Sequence, residues 1–548
     1  MSPMHVHHQH CAENIVIQMQ NDHVIQSKYM NIAIIGGGLT GLTSAYELLK
    51  TGHRVTVFEK EKTLGGLAGG FTLPHWKWSL EYYYHHFFTN DTTIISLAKE
   101  LGLANDIIIK HPITATLVSE NSDNSEHSEY SEDQTFRKLR KSEKSDVQRF
   151  RFSEIPSLRP SEFSEYSEGS DSPSFPSIPK NIYQLDSPMN LLTFPFLSSV
   201  DKLRTAALLG FCKVNPFWQP LEKMTAEQLF KTIGGTTAWE ILWEPLMKGK
   251  FRDYAKGVPA SWLWARIKKR TPSLGYFRGG FQTFVDGLAD AIKKQGGVII
   301  TDRLIQSIQI KSTNPTNLQI RQINEDNKKN ENNLSFDICH LTFDKVLITT
   351  PSSVATKFIS SLHHSHIRTD SLFVDEERQR TTYNQRLLSI PHLWAQTLIL
   401  ETEKPILDNT YWLNVADPSF PFVAVVAHTN MVDKKFYGGR HITYIGNYLP
   451  DGHPFLKMTK QQLLKKFLPY LKKINPSFRP PLSAFCFLFS SPSAQPVHTL
   501  NYSKKAPEMK TPIEGIYLAN LDSIYPWDRG TNYAVELGKK AAKKILNS

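Results

Sequence analysis

Residues 31–41 read NIAIIGGGLTG, and this stretch decides the fold. An apolar run ends at consecutive glycines and is followed by a segment with helical apolar spacing, which predicts a strand, a tight turn and a helix. The glycines fit GxGxxG: Gly36 permits the turn, Gly38 lets a pyrophosphate approach the backbone, and Gly41 allows close packing of helix on strand. The unpaired N–H groups at the start of the helix favour the same anion. The sequence therefore predicts a Rossmann-type unit that binds a dinucleotide.

A carboxylate follows at the end of the next predicted strand. Glu59 closes the segment 54–59, where it can accept hydrogen bonds from both hydroxyls of an adenosine ribose. Its negative charge would repel a 2′-phosphate, so this site disfavours NADP. The residues predicted to contact the dinucleotide in this unit are Gly36, Gly38, Leu39, Thr40, Gly41, Glu59 and Lys60.

A second glycine-rich run, LGGLAGG, occupies residues 64–70. The sequence from the first glycines through Glu59 to Gly65 and Gly66 resembles the FAD-binding signature of the flavin-containing amine oxidase superfamily. Monoamine and polyamine oxidases, phytoene desaturases and protoporphyrinogen oxidases belong to that superfamily. The resemblance implies that the cofactor is FAD and that the Gly65-Gly66 loop lies along its pyrophosphate. Where the family often has an arginine after this loop, the chain has Leu67, and the resemblance implies that Gly65, Gly66 and Leu67 contact the FAD.

Later segments resemble the same superfamily. The sequence GYFRGGF at 275–281 precedes a predicted helix, as in the segment that borders the flavin, and the strand around Ile305 resembles the strand that contacts the adenine. In the family a strand near the C-terminus supplies an acid for the ribityl chain, a role that Asn520 or Asp522 would take here. The last helix points its N-terminus at the flavin, where the helix dipole stabilises the charge of the reduced ring. The further FAD contacts that the resemblance implies are Gly279, Gly280, Ile305, Asn520, Asp522, Gly530, Thr531 and Asn532.

The most unusual run is LEYYYHHFF at residues 80–88. It follows the Gly-Gly loop, where these flavoproteins line the cofactor and substrate cavity, and it is similar to the histidine-containing segment of UDP-galactopyranose mutases. A histidine in that place can accept a proton near neutral pH, and packing of the aromatic rings in the core is the alternative. Arg529, which follows Asp528, is expected either to bind an anionic group of the substrate or to form a structural ion pair. The predicted catalytic residues are Tyr84, His85, His86 and Arg529.

The predicted fold class is α/β, with a Rossmann-type FAD/NAD(P)-binding domain built from discontinuous segments and an inserted α+β substrate domain. Serine and glutamate dominate the stretch around 118–180, which lacks the apolar residues for a core and is predicted to be disordered. The predicted order is a disordered extension (1–29), the first FAD-binding segment (30–117), the disordered insertion (118–180), a helical segment of the substrate domain (181–272), the second FAD-binding segment (273–358, with a loop at 312–336), a β-rich segment of the substrate domain (385–500) and the third FAD-binding segment (505–548).

Composition limits the possible partners and compartment. The formal net charge of +11 is spread along the chain without a basic and aromatic pattern, so a solvated surface is favoured and nucleic-acid binding is not predicted. The sequence has no run of about 18 apolar residues, so no transmembrane helix is predicted. The apolar segment 194–217 carries interspersed lysines, which leaves peripheral contact with an anionic membrane open. The 4 cysteines are scattered, which predicts neither disulfides nor a metal site. The expected location is the cytoplasm, with the inner membrane face as an additional possibility.

The sequence contains one dinucleotide fingerprint, whereas flavin reductases with a separate NAD(P)H domain carry two. The resemblance therefore implies an FAD-dependent oxidoreductase that transfers hydride from a small hydrophobic or amine substrate to flavin N5. Two alternatives stay open. One is a redox-neutral sugar-nucleotide mutase of the UDP-galactopyranose mutase type, and the other is a protein that binds FAD without catalysis.

Overall fold

The computed structural model describes residues 29–119, 181–310, 318–324, 341–361, 371–481 and 485–548. The strands in these ranges are β1 (Asn31–Ile35), β2 (Arg54–Phe58), β3 (Gly70–Phe71), β4 (Leu80–Glu81), β5 (Phe87–Phe88), β6 (Ile107–Lys110), β7 (Ile113–Leu117), β8 (Ile182–Gln184), β9 (Leu274–Phe277), β10 (Val298–Ile300), β11 (Arg303–Ile310), β12 (Leu318–Asn324), β13 (Leu341–Phe343), β14 (Lys345–Ile348), β15 (His392–Thr402), β16 (Thr410–Val415), β17 (Ala424–Ala427), β18 (His441–Leu449), β19 (Cys486–Pro496) and β20 (Ile516–Leu518). The helices are α1 (Leu39–Leu49), α2 (Thr92–Glu100), α3 (Pro188–Thr193), α4 (Ser199–Val214), α5 (Ala226–Gly234), α6 (Thr236–Ala238), α7 (Glu244–Phe251), α8 (Ala260–Lys269), α9 (Phe281–Lys294), α10 (Ser352–Ser360), α11 (Ser371–Leu388), α12 (Lys460–Ile474) and α13 (Thr531–Leu546).

The predicted glycine-rich unit lies at the centre of a parallel sheet. Its five strands follow the order β10-β2-β1-β14-β20, and every neighbouring pair is parallel. Ile32 and Ile34 of β1 pack against α1, α9 and α13 on one face, whereas Ala33 and Ile35 pack against β11–β13 and α10 on the other. Because both faces are covered, β1 is apolar at consecutive positions instead of alternating. Strands from distant regions of the chain thus form one Rossmann-type sheet, which confirms the predicted α/β fold class.

A second sheet forms the other half of the molecule. Its seven strands follow the order β19-β15-β18-β17-β16-β7-β8, and the pairs are antiparallel except for β16 and β7. Leu398 of β15 packs with Leu463 and Phe467 of α12 on one face. The next residue, Ile399, joins the core that the parallel sheet uses. Since successive side chains of a strand point to opposite faces, β15 connects two cores.

A helical layer packs against one end of this second sheet. Helices α4, α5, α7 and α8 bury the side chains of Phe230, Phe251 and Trp262 between them. The same apolar cluster includes Tyr83, from the aromatic run after β4, and Tyr448 of β18. The layer therefore adjoins the segment that the sequence predicts to line the cofactor and substrate cavity.

One predicted loop contains a strand. The stretch 318–324, inside the loop expected at 312–336, is β12, which pairs antiparallel with β11. Leu318 and Ile320 are buried and alternate with polar residues, because only one face of this small sheet covers the core. The abundance of asparagine and lysine around the stretch concealed this alternation.

The sequence predicts disorder at 1–29 and at 118–180. Most of these two segments, residues 1–28 and 120–180, lies outside the described residues. The strands that flank the second of them pair with each other, with Leu117 of β7 opposite Ile182 of β8. Within the described ranges, no helix has the length and apolar character needed to cross a membrane.

Candidate active site

The turn between β1 and α1 forms an open cradle at the carboxyl end of the parallel sheet. Gly36 has a φ of 119°, and its N–H donates to the carbonyl of Phe58 at 2.8 Å. A Cβ on Gly41 would lie 2.0 Å from the carbonyl oxygen of Gly36, so only glycine fits there. In contrast, a Cβ on Gly38 would meet no atom within 4 Å. This free space is where the sequence predicts a pyrophosphate, and Gly38, the residue before α1, has no side chain that could cap the first N–H groups of the helix.

Glu59 lies beside this turn. Its carboxylate accepts an N–H of the glycine turn at 2.7 Å and the N–H of Glu61 at 2.9 Å. Burial raises the pKa of Glu59 above its usual value, and the two backbone donors counteract that increase. The N–H of Arg303 donates to the carbonyl of Glu59 at 3.1 Å, which places the start of β11 and its buried Ile305 close by. Lys60 instead extends into solvent and pairs with Glu61 at 2.7 Å.

The second glycine loop contacts the first. The N–H of Gly65 donates to the carbonyl of Gly37 at 2.9 Å. A Cβ on Gly66 would lie 3.4 Å from the Cα of Gly38, so the two loops approach each other backbone to backbone. Leu67 turns toward the helical layer and packs against its apolar cluster. The structure therefore brings both glycine-rich runs to the same place, beside the free space at Gly38.

Helices α1 and α13 place their N-termini side by side. The hydroxyl of Thr40 donates to the carbonyl of Ala534 at 3.2 Å, and that of Ser44 donates to Gly538 at 3.1 Å, so the two helices run in the same direction. Leu39 is buried in the core between them and the sheet. The positive ends of two helix dipoles therefore face the same region, which favours negative charge there.

The start of α13 carries a buried polar group that lacks a partner. Thr531 is 5% exposed, and its hydroxyl has no hydrogen-bond partner among the described residues. The hydroxyl oxygen of Thr350, which follows β14, is also buried and also has no hydrogen-bond partner among the described residues. Buried polar groups in proteins are nearly always hydrogen-bonded, so both hydroxyls fit the polar edge of a ligand. Gly530 before the helix offers no side-chain cap, while Asn532 accepts the N–H of Ile94 at 3.0 Å and so binds α2.

The two residues predicted near the ribityl chain are hydrogen-bonded within the protein. The amide of Asn520 donates to the carbonyl of Thr350 at 3.0 Å. The carboxylate of Asp522 contacts the ring of His392 at 2.7 Å and also accepts the hydroxyl of Ser352. Both side chains are buried where β14 and β20 end. Asp522 is thus a buried acid with a protein partner at each carboxylate oxygen, His392 at one and Ser352 at the other.

The turn before α9 is fixed to the chain that follows the second glycine loop. Gly279 and Gly280 have φ values of 81° and 91°. The hydroxyl of Ser79 donates to the carbonyl of Gly279 at 2.6 Å, and a Cβ on Gly280 would lie 2.6 Å from the carbonyl oxygen of Ser79. Glycine is thus required here by close approach to protein backbone.

Glu81 joins this turn to the aromatic run, and it was absent from the predicted site. Its carboxylate, 1% exposed, accepts the N–H of Phe281 at 2.7 Å and the hydroxyl of Tyr276 at 2.9 Å. It therefore bonds to the first N–H of α9. Burial raises the pKa of Glu81 to about 7, and these hydrogen bonds counteract only part of the increase. The available signal was an acid placed directly before consecutive tyrosines, where a solvated carboxylate is not expected.

The paired histidines of the aromatic run lie in the interior. A ring nitrogen of His85 contacts the carbonyl of Tyr83 at 2.6 Å, and one of His86 lies 3.3 Å from the hydroxyl of Tyr411. Burial lowers the pKa of His85 to about 4 and that of His86 to about 3. Both rings are therefore neutral at pH 7 and act as hydrogen-bonding groups. The lowered pKa values therefore disfavour the predicted role of either ring as a proton acceptor that titrates near pH 7.

A cavity of about 20 Å³, enough for a water molecule, brings together three of the four predicted catalytic residues. Tyr84, His85 and Arg529 line it, while His86 does not. The guanidinium of Arg529 donates to the hydroxyl of Tyr448 at 2.6 Å. Tyr448 was not predicted, because one tyrosine in an apolar strand resembles any other. The complete lining is Tyr83, Tyr84, His85, Ala395, Gln396, Thr397, Asn447, Tyr448 and Arg529.

Similarity to known proteins extends over most of the chain. A family model described as flavin containing amine oxidoreductase matches residues 39–546. The zeta-carotene desaturase of Zea mays is 35% identical over 81 residues, which are 15% of this chain and 14% of that protein. The thiamine thiazole synthase of Thermotoga maritima is 42% identical over 52 residues, which are 10% of this chain and 21% of that protein. The chain therefore aligns with less than a quarter of the length of either relative.

Solved structures share the fold at low sequence identity. Reduced UDP-galactopyranose mutase superposes with a TM-score of 0.61 at 12% identity, over 95% of this chain and 94% of the other. Putrescine oxidase bound to putrescine gives 0.59 at 13% identity, over 95% and 99%. Cyclohexylamine oxidase from Brevibacterium oxydans gives 0.57 at 13% identity, over 95% and 99%. At such identities the likeness establishes a shared fold, in agreement with the parallel sheet and its glycine turn.

Proposed function

This chain belongs to the flavin containing amine oxidoreductase family, and from that premise we propose that it oxidises a small hydrophobic or amine substrate. FAD is the cofactor of this family, and the chain is a flavin-dependent oxidoreductase. The chemistry that FAD supplies when bound is acceptance of a hydride from a substrate C–H bond at flavin N5. The protein contributes position, exclusion of water and electrostatic environment.

The residues that would hold FAD surround the converging ends of β1, β14 and β20. The free space beside Gly38 and the adjoining loop at Gly66 suit the pyrophosphate. Glu59 suits the adenosine ribose, and the unpartnered hydroxyls of Thr531 and Thr350 suit the polar edge of the flavin and its side chain. Each assignment rests on free space in the packing or on a hydrogen-bonding group at the carboxyl end of the sheet.

The observation that carries the proposal is the small cavity between the seven-stranded sheet and the start of α13. Tyr84 and His85 provide apolar rings and neutral hydrogen-bonding groups, which suit an uncharged reacting carbon. This cavity adjoins the cofactor space, because Arg529 lines it and Thr531, two residues later, begins α13. We assign the proposed substrate domain to 181–272 and 385–500; the second segment supplies Ala395, Gln396, Thr397, Asn447 and Tyr448 to the cavity lining.

Anaerobic reduction of the bound flavin tests the proposal. The holoprotein is mixed with putrescine, cyclohexylamine or zeta-carotene, which represent the substrates named for structural and sequence relatives, and the visible absorbance of FAD is followed. We expect at least one class to bleach the flavin, with dithionite as the control for a reducible cofactor. If no such donor bleaches it while UDP-galactopyranose is converted by the dithionite-reduced protein, the chain is a mutase and the proposed oxidation is wrong.

We further propose that the chain works in the cytoplasm at the surface of an anionic membrane. The exposed face of α4 and its flanks carries large apolar side chains at helical spacing, each at least 60% exposed: Met189, Leu192, Val200, Leu203, Val214 and Phe217. Lys202 and Lys213 belong to the same helix, and the ammonium of Lys213 donates to the carbonyl of Arg270 at 2.6 Å. An exposed apolar stripe on a helix that also carries lysines is typical of helices that lie in the membrane interface.

Sedimentation with lipid vesicles tests this location. We expect the holoprotein to bind vesicles that contain phosphatidylglycerol more tightly than vesicles of phosphatidylcholine alone, and Leu203→Glu to weaken that binding. Leu388→Glu is the matched control, because Leu388 is 63% exposed at the end of a different helix. Equal binding of the two variants would contradict the assignment of this face.

A further inference from the structure

A buried cluster of charges surrounds Asp528, directly before the cavity residue Arg529. The carboxylate of Asp528 is 8% exposed and accepts the indole N–H of Trp262 at 3.1 Å. The ammonium of Lys250 lies 3.1 Å from it, and the guanidinium of Arg266 donates to the same oxygen as Lys250. Lys250 belongs to α7 and the other two to α8, so the helical layer supplies these three partners of the carboxylate.

The cluster holds more positive than negative charge. Arg529 adds a third cation, and its guanidinium donates to Gln495 at 2.8 Å and to Tyr448 at 2.6 Å, which are both uncharged acceptors. Within the described part of the chain, three cations therefore share one carboxylate. The side chain of Arg266 is 44% exposed and is screened by water, whereas that of Lys250 is 15% exposed. The unbalanced charge thus falls mainly on Lys250 and Arg529.

The titration of the neighbouring groups reflects this excess. Burial lowers the pKa of Lys250 to about 8, with Arg266 and Arg529 acting in the same direction against Asp528. Burial would raise the pKa of Tyr448, but the charges of Arg529 and Lys250 outweigh it and lower the value to about 8. Positive charge in the interior is unfavourable unless it is paired, and a bound anion would pair it.

We propose that Lys250, Arg529 and Tyr448 form a subsite for an anionic oxygen group, a carboxylate or a phosphate, carried by the substrate. A guanidinium, an ammonium and a phenolic hydroxyl are strong donors for such oxygens, and charge-assisted hydrogen bonds are about twice as strong as neutral ones. Arg529 and Tyr448 line the cavity with Tyr84 and His85, so the anion would lie at one side of it. The substrate is then a small amphipathic acid with its hydrophobic or amine part toward the rings. That this acid is the substrate rests on the proposed oxidation. The binding of an anion at the subsite does not depend on that proposal.

Anion titration of the holoprotein tests the subsite without requiring turnover. Propionate, inorganic phosphate and the uncharged propionamide are added at constant ionic strength, and the FAD spectrum and the midpoint of thermal unfolding are recorded. We expect a saturable response to propionate or to phosphate and none to propionamide; the anion that responds distinguishes a carboxylate from a phosphate ester. Lys250→Met should raise the Kd of that anion at least about tenfold, as for loss of one charged hydrogen bond.

The matched control is Lys248→Met, which removes the same charge from the same helix. Lys248 is 47% exposed and pairs with Glu244, so this variant should keep the Kd of the unaltered protein. Should Lys250→Met lose its flavin, Tyr448→Phe replaces it, with a higher Kd expected because the variant lacks the phenolic hydroxyl of the subsite. The subsite is refuted if neither anion saturates, or if the variant and the control at Lys248 have equal Kd values. Anion binding without oxidation of any donor would refute the proposed function alone.

Discussion

Replacing Glu81 with glutamine should remove a specific dependence of stability on pH. The carboxyl group is buried, and its hydrogen-bond partners, the hydroxyl of Tyr276 and the N–H of Phe281, are neutral. Burial raises the pKa of Glu81 from 4.5 to about 7, because these partners only partly replace the hydration of a carboxylate. The folded chain therefore keeps a proton on this group at pH values where the unfolded chain has lost it.

The sign and the size of the effect follow from this difference. The contribution of Glu81 to the free energy of unfolding is complete below pH 4.5, decreases as the pH rises toward the folded pKa of about 7, and is constant above it. A separation of about 2.5 pH units, at about 1.4 kcal/mol each, corresponds to about 3 kcal/mol. Glutamine keeps an acceptor for Phe281 but has no proton to lose, so the variant lacks this contribution.

Urea unfolding of both proteins at several pH values between about 4.5 and 8 measures the effect. The free energy of unfolding of the unaltered protein minus that of Glu81→Gln should fall by about 3 kcal/mol across this range. Glu227→Gln is the control, because Glu227 pairs with Lys231 on the surface, and its difference should vary by about 0.5 kcal/mol or less. A difference for Glu81→Gln that is as flat as the control would refute the raised pKa of Glu81 in the folded chain.

Three further substitutions separate packing from cofactor binding and from chemistry. Gly38→Val should abolish FAD binding, seen as loss of flavin absorbance, but leave the apoprotein about as stable as before, since a Cβ there meets no atom within 4 Å. Gly41→Ala should lower the stability of the apoprotein in urea by about 1–3 kcal/mol, since its Cβ would lie 2.0 Å from the carbonyl of Gly36. His85→Ala should slow anaerobic flavin reduction by a donor substrate more than His86→Ala does, because His85 lines the cavity; stopped-flow rates that are equal would contradict this arrangement.

The features of the site that could be predicted from the sequence are those set by local backbone geometry. The turn at Gly36 and the packing at Gly41 depend on contacts within one strand–helix unit, so the glycine spacing alone identifies them. Glu81 and Asp528 acquire their roles from partners far away in the chain, on α9 and on α7 and α8, and no local pattern encodes those distances. The position of Arg529 before the last helix drew attention to it, and it lines the cavity, but the sequence left open whether its charge serves structure or substrate.

The charge cluster changes the interpretation of the net charge of the whole chain. Two helices, α1 and α13, begin after glycines that offer no side-chain cap, Gly38 and Gly530, and they present parallel dipoles to the proposed cofactor space. Arg529 stands directly before the second of these helix ends and faces the cavity. A dinucleotide with two phosphates and a substrate with an anionic group would both approach this positive region. If the proposed subsite is correct, part of the formal charge of +11 serves binding in the interior, beyond the ion pairs that Lys250 and Arg266 make with Asp528.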